Sequence, residues 1–355
     1  MTRQGENLAI WRTEALVPRL ESYLSNQINA AVTISDLSRF TAGLSWITIS
    51  FGLRQDSAEA RQLILRIGDP NGLLAPYSAW PEFVALSCLD GIPELPIPQP
   101  YWCCDDAEVI GAPFMIVGHL QGTTLMPMMA NSVLSDAGDQ CHSDDRSLIE
   151  QDFAAALSAI HGCAWGGTDV AGLTPGVSAE NCTLLEIERW TRHAAGSSGT
   201  LEDSAMRFAD AWLRAHAPVA PEVVLLHGDY RVGNFLVHEG RISGILDWEL
   251  THLGDPHEDL AWAGMRAFGG TDTTLSGLLG RQAFYHQYEQ RSGRRVDPAA
   301  LRYFEVLGQY KQASMLIGAE ERVRKGSVHD IRLAAMALQR SAAMMGLMSM
   351  IKAVA

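Results

Sequence analysis

The sequence predicts a two-lobed α+β protein, with a small antiparallel sheet in its first third and a mostly helical remainder. Three observations lead there. At 355 residues the chain exceeds what one hydrophobic core usually serves, so two compact bodies are expected. Strand-like alternation is confined largely to residues 31–118, whereas helical spacing of apolar residues dominates from residue 148 onward. Apolar residues make up 47% of the chain, enough for a sizeable interior, and no long tract has a disordered composition.

Residues 6–27 carry an amphipathic helical pattern, and residues 31–40, 47–53 and 61–67 then read as strands of one sheet. Pro81 to Leu89 fits a short helix. The following IPELPIPQP reads as extended chain, because a residue preceding proline is pushed out of the helical region. Strands are expected near 101–103 and 113–118, and helices at 148–161, 184–193, 201–216, 275–290, 299–322 and 328–352. Within the last of these, Ser341 to Ile351 reads as a buried Met-rich helix, too short to span a bilayer and flanked by Arg340 and Lys352.

One segment interrupts the helical half: LLHGDYRVGNFLVHEGRISGILDWELTHLGDPHEDLAW, residues 225–262. Residues 221–226 read as a buried strand ending at His227-Gly228-Asp229, where glycine permits a sharp turn. Residues 235–237 and 242–248 read as a hairpin around the turn 238–241. Asn234 enters that hairpin and Asp247 leaves it, so both side chains are expected at the same end. The set suits phosphoryl transfer. One carboxylate can orient and deprotonate a hydroxyl, while an amide oxygen and a second carboxylate hold Mg2+ on a nucleotide's phosphates.

His227-Gly228-Asp229 followed by Asn234 resembles the catalytic loop of the aminoglycoside phosphotransferase and choline kinase family, relatives of the protein kinases. Ile245 to Glu249 resembles the family's metal-binding segment, and Gly254-Asp255-Pro256 with Asp259-Leu260-Ala261 resembles its continuation. The branch most resembled is the one fused or adjacent to acyl-CoA dehydrogenases. The resemblance covers nearly the whole chain and implies a protein-kinase-like fold, with an N-lobe over residues 1–120 and a helical C-lobe over 121–355. It implies Asp229 as the base, Arg231 as a charge near the transferred phosphate, and Asn234 and Asp247 as magnesium ligands. Arg66 would touch the nucleotide's inner phosphates with Glu82 as its ion-pair partner. The backbone of Gly118, His119 and Leu120 would meet the base of ATP, with GTP left open, and residues 40–46, including Gly43 and Ser45, would cover the phosphates. That loop keeps only Gly43 of the family's usual glycines, Trp46 stands where Asn is common, and Gly118 where an acidic residue is common.

Other readings stay open at this level. Arg231 could instead brace the loop against Asp255 or Glu249, and Arg66 and Glu82 could be ordinary surface charges. Trp46 fits burial under the sheet, and His161 fits a hydrogen-bonded core position. Tyr285, Tyr288, Tyr303, Phe304 and Tyr310 form either core or an aromatic acceptor wall. His227, His252 and His257 among Asp229, Asp247 and Asp255 would also suit a metal-dependent hydrolase. A nucleotide-binding pseudokinase is a further alternative. A net charge of −14 disfavours nucleic acid. It is compatible with a cationic acceptor or with simple solubility. The first twenty residues lack the apolar core of a signal peptide, and six cysteines without a C-x-x-C pair read as reduced thiols, so a cytoplasmic protein without a membrane partner is expected. The acceptor is expected to be a small hydroxyl compound, and its identity and the oligomeric state are not encoded legibly.

Overall fold

The computed structural model describes residues 13–40, 45–55, 59–93, 95–125, 143–276, 279–326 and 331–354. The chain divides into two compact units, Met1–Phe83 with Pro98–His119 and Val84–Ile97 with Leu120–Ala355.

The first unit is built on five antiparallel strands in the order β1-β2-β3-β5-β4. These are β1 (Val32–Arg39), β2 (Trp46–Gln55), β3 (Arg61–Gly68), β4 (Pro100–Cys104) and β5 (Phe114–Gly118). Alternation along β3 buries Leu63, Leu65 and Ile67 beside Ile47, Ile49 and Phe51 of β2 and Phe114 and Ile116 of β5. Helix α1 (Thr13–Ile28) covers this cluster with Leu16, Leu20 and Leu24, a four-residue repeat that makes one stripe. Helix α2 is Trp80–Leu89, and a short α3 (Ala107–Ile110), absent from the sequence reading, starts where Asp106 accepts the Glu108 N–H at 2.9 Å.

The second unit is mainly helical: α4 (Ser143–His161), α5 (Cys182–Ala195), α6 (Ser204–Ala215), α7 (His257–Trp262), α8 (Arg281–Ser292), α9 (Pro298–Arg324), α10 (Ile331–Ala337) and α11 (Arg340–Val354). Helix α9 packs against α5, α7, α10 and α11, and it buries residues along most of its 27-residue length. Tyr285, Tyr288, Tyr303, Phe304 and Tyr310 are all buried, so the aromatic stripe is core. Two short sheets carry the irregular middle, β6 (Thr123–Thr124) with β8 (Phe235–His238) and β9 (Arg241–Ile245), and β7 (Val224–Leu226) with β10 (His252–Gly254).

Some expected boundaries move. The helix expected over 275–290 begins at Arg281, because Thr274–Leu275 (β11) and Leu279–Gly280 (β12) pair as strands. The last expected helix is two, α10 and α11. Helix α11 is amphipathic rather than buried all round: Ala343, Met344, Leu347 and Ile351 face inward while Met345 is 68% exposed. Among the described residues no helix is long and apolar enough to cross a membrane. Cys88, Cys103, Cys104, Cys163 and Cys182 are free thiols.

Helix α6 illustrates how local chemistry sets an element. Asp203 caps it by accepting the Ala205 N–H at 2.8 Å, and its other oxygen takes Arg340 Nη2 at 2.9 Å. Asp203→Ala is expected to cost about 1 kcal/mol from the cap alone. A urea midpoint indistinguishable from wild type would contradict this.

Candidate active site

The loop that carries Asp229 is shaped by backbone requirements. Strand β7 pairs antiparallel with β10, Leu226 opposite His252, and the chain then turns at Gly228 with φ 83°. A Cβ at Gly228 would collide with the carbonyl of Leu250, so only glycine fits. A single 3-10 turn, Val232–Asn234, leads into β8.

The return strand was expected to reach Trp248 but ends at Ile245. Leu246 donates its N–H to the Asn234 carbonyl at 2.8 Å, and Asp247 then adopts a left-handed φ of 69°. That reversal lets Trp248 bury completely against His227, ring centroids 4.5 Å apart, instead of continuing the strand. Asn234 and Asp247 consequently flank the same end of the hairpin.

Asp229 is 9% exposed and receives three side-chain donors. Asn234 Nδ2 donates to its Oδ2 at 2.6 Å, Trp262 Nε1 to its Oδ1 at 2.6 Å, and Arg231 Nε to its Oδ1 at 2.9 Å. Asn234 Nδ2 also reaches the Asp229 carbonyl at 2.9 Å. Arg231 therefore grips Asp229 itself, with Glu249 among the carboxylates whose charge acts on it. Asp255 is taken by His257 Nδ1 at 2.6 Å. The Arg231 guanidinium lies 4.8 Å from the Phe268 ring centroid. Burial alone would lower its pKa, but Asp229 and Asp247 hold it above its ordinary value.

Behind the loop, Asp259 accepts the backbone N–H of His227 at 2.8 Å and of Gly228 at 2.9 Å. His161 Nε2 lies 3.3 Å from the same carboxylate and its Nδ1 2.7 Å from the Tyr288 hydroxyl. Burial pushes His161 below its usual pKa, so it is neutral at pH 7. Burial would raise the Asp259 carboxyl, but its hydrogen bonds more than offset this and keep it below the usual range. His227 is likewise lowered by burial; its Nδ1 accepts the Asp229 N–H at 3.2 Å and its Nε2 meets the Leu246 carbonyl at 3.0 Å, which fixes a neutral Nε2–H tautomer.

The three histidines of the hydrolase alternative do not converge. His227 braces the loop, His257 binds Asp255, and His252 lies 3.3 Å from Glu258 and 3.7 Å from Glu186. Among the described residues, Glu186, His252 and Glu258 form the single His and carboxylate group compact enough for a metal ion. Lys311 Nζ already occupies it, 2.5 Å from Glu258 and 3.2 Å from Glu186. An ammonium there does the neutralising that a cation would do.

Lys311 and Trp262 went unread in the sequence. Lys311 shares one face of its helix with Phe304, Leu307 and Ser314, and a lone lysine on a buried stripe was the available signal. Trp262 lies three residues after Asp259, at the end of the segment 225–262.

In the first unit, Arg66 Nη1 lies 3.0 Å from Glu82 Oε1, and their side chains are 13% and 2% exposed, so neither is an ordinary surface charge. Trp46 is buried, its ring centroid 5.1 Å from that of Tyr77 and 5.5 Å from the Arg66 guanidinium. Ser45 is buried and its carbonyl accepts the Asp69 N–H at 3.2 Å. Gly43 lies outside the described residues. Gly118 ends β5 with its N–H donated to the Gln99 carbonyl at 2.8 Å. His119 is exposed and Leu120 half-buried.

The Arabidopsis thaliana protein named "Probable acyl-CoA dehydrogenase IBR3" is 27% identical over 75% of this chain and 34% of its own length. "Acyl-CoA dehydrogenase family member 11" of Pongo abelii is 26% identical over 74% of this chain and 34% of its own. The chain thus spans about a third of the length of these curated relatives. A solved "putative aminoglycoside phosphotransferase" from Ralstonia eutropha JMP134 superposes with a TM-score of 0.66 at 23% identity, covering 94% of this chain and 98% of that one. Aminoglycoside phosphotransferase APH(4)-Ia, in a ternary complex with ADP and hygromycin B, gives 0.57 at 16% identity, with 94% and 98% covered. These likenesses establish the protein-kinase-like fold. The family model described as "Phosphotransferase enzyme family" (APH) matches residues 53–304, a span that holds both the Arg66–Glu82 pair and the whole Asp229 loop, and to that family this chain belongs.

Proposed function

We propose that the protein transfers the γ-phosphoryl group of ATP to a hydroxyl of a small molecule, with Asp229 orienting that hydroxyl and accepting its proton. The observation that carries this is the junction of Asp229, Asn234 and Asp247. Asn234 bonds the Asp229 carboxylate directly at 2.6 Å, and Leu246 N–H ties the Asn234 backbone to the turn that presents Asp247. Asn234 spends its amide nitrogen on Asp229, which leaves Oδ1 as its remaining polar side-chain atom. With the Asp247 carboxylate that makes an all-oxygen donor set, fitting Mg2+, which takes one or two carboxylates and completes its shell with phosphates and water. Bound there, Mg2+ would neutralise phosphate charge.

The chain's own residues supply positioning. Three donors lock the Asp229 carboxylate in one orientation, so an acceptor hydroxyl meets a base whose place is already fixed. Arg231 holds that carboxylate and carries a positive charge to the place where the transferred group accumulates negative charge. Arg66, fixed by Glu82, is the proposed contact for the inner phosphates, Gly43 and Ser45 belong to the proposed phosphate-covering loop, and Gly118, through its carbonyl, His119 and Leu120 are the proposed backbone contacts to the base. The likeness to proteins named as acyl-CoA dehydrogenases supports hydroxy acids and hydroxyacyl thioesters as acceptors, and the likeness to aminoglycoside phosphotransferases supports amino sugars.

The test is an acceptor panel with Mg-ATP, including amino alcohols and GTP as alternative donor, with phosphorylated product read by mass. At least one acceptor is expected to yield product with matching nucleotide consumption. Nucleotide binding without consumption across the panel would favour an inactive nucleotide-binding scaffold instead.

A further inference from the structure

We infer that Trp262 and Lys311 are positioning residues for Asp229: the indole N–H fixes one carboxylate oxygen, and the buried ammonium fixes the indole. The inference rests on the role proposed for Asp229.

Asn234 and Arg231 are loop neighbours of Asp229, so their hydrogen bonds move with the loop. Among the described residues Trp262 is the one side-chain donor to this carboxylate from outside residues 229–234. It closes α7, the helix whose Asp259 already holds the N–H groups of His227 and Gly228. Residues three apart share a helix face, so one turn of α7 grips the loop twice, by its backbone through Asp259 and by its reactive side chain through Trp262. A carboxylate with a single remote anchor at 2.6 Å depends on that anchor's own placement.

Lys311 supplies that placement. Its Nζ lies 4.8 Å from the Trp262 ring centroid and 5.5 Å from that of Trp190, with no solvent exposure. A desolvated cation facing an indole is attracted to the ring and draws electron density from it, which strengthens the N–H as a donor. Glu258, one turn before Trp262 on α7, and Glu186 of α5 hold the ammonium by its charge. Burial would lower the lysine's pKa, but these two carboxylates keep it above its ordinary value, so the charge is present at neutral pH. A lysine serving only to neutralise Glu186 and Glu258 has no need to face Trp262.

Two conservative substitutions separate the roles. Trp262→Phe keeps a ring beside Lys311 and removes the N–H; Lys311→Met keeps the volume and removes the charge. The Trp262 indole resonance in a 15N-1H NMR spectrum, identified by its loss in Trp262→Phe, is expected downfield and is expected to move upfield in both Asp229→Ala and Lys311→Met. With Mg-ATP and the best acceptor, or basal ATP hydrolysis to water, Trp262→Phe is expected to lower kcat about tenfold, a scale typical of losing an outer hydrogen-bond partner, with KM for Mg-ATP unchanged within about twofold. Lys311→Arg should restore the resonance and the rate that Lys311→Met loses. If Lys311→Met does not fold, Lys311→Met with Glu258→Gln lowers the unpaired charge and carries the same readout. An indole resonance indifferent to Asp229→Ala, or an unchanged kcat in Trp262→Phe, overturns the inference. Absence of any ATP turnover by the wild type would defeat the proposed reaction instead, while the resonance would still report the anchor.

Discussion

Asp229→Ala is expected to lower phosphoryl transfer by about two orders of magnitude or more, the scale of a lost general base, while Mg-nucleotide still binds. The structure sharpens how this must be measured. Truncation removes the shared acceptor of Trp262 Nε1, Asn234 Nδ2 and Arg231 Nε, and of the three Asn234 keeps a second partner in the Asp229 carbonyl. A buried donor without a partner costs about 1–3 kcal/mol, so the variant should also unfold more easily. Turnover therefore has to be taken per folded molecule, with Asp229→Asn alongside, because the amide keeps the shape and one acceptor oxygen. A pure folding defect would lower total activity but leave the rate per folded molecule intact. Wild-type turnover in either folded variant removes Asp229 from its assigned role.

The second large effect is expected at Asp247. Asp247→Asn should abolish the rise in melting temperature that Mg-ATP gives the wild type. At ligand one hundred times its Kd that rise corresponds to about 2.7 kcal/mol, so its disappearance is easily read. Asparagine is the informative replacement. Asp247 has φ 69°, a region that asparagine tolerates far better than alanine, so the backbone is spared while the charge is lost. Persistence of the full shift, equally with and without magnesium, would show that Asp247 does not serve the metal.

What the sequence disclosed about this site was what lies contiguous along the chain. His227-Gly228-Asp229, Asn234 and Asp247 fall within one short segment whose turn glycine and hairpin signals are local. The strands of the first unit were legible for the same reason: alternation in β2 and β3 is decided by neighbours two residues away. Failures came where distant contacts decide. Ile245 to Trp248 continues an apolar alternation, yet the chain reverses at Asp247 because Trp248 finds His227 to bury against. The leucines near residue 275 match a helical spacing and a strand spacing equally well in so short a window, and pairing between β11 and β12 settles it. Arg231 has carboxylates on many sides in the sequence, and only the fold shows that it turns back onto Asp229. Trp262 and Lys311 went unread for a related reason, since an apolar stripe can show that a lysine is buried but not what faces it or a nearby tryptophan.

The left-handed backbone at Asp247 has a practical outcome for anyone engineering this protein. A non-glycine residue there is strained by roughly 1 kcal/mol, which glycine would relieve. Screening libraries for heat tolerance alone would therefore enrich glycine at position 247, and the hardiest survivors would have lost the carboxylate proposed to hold Mg2+.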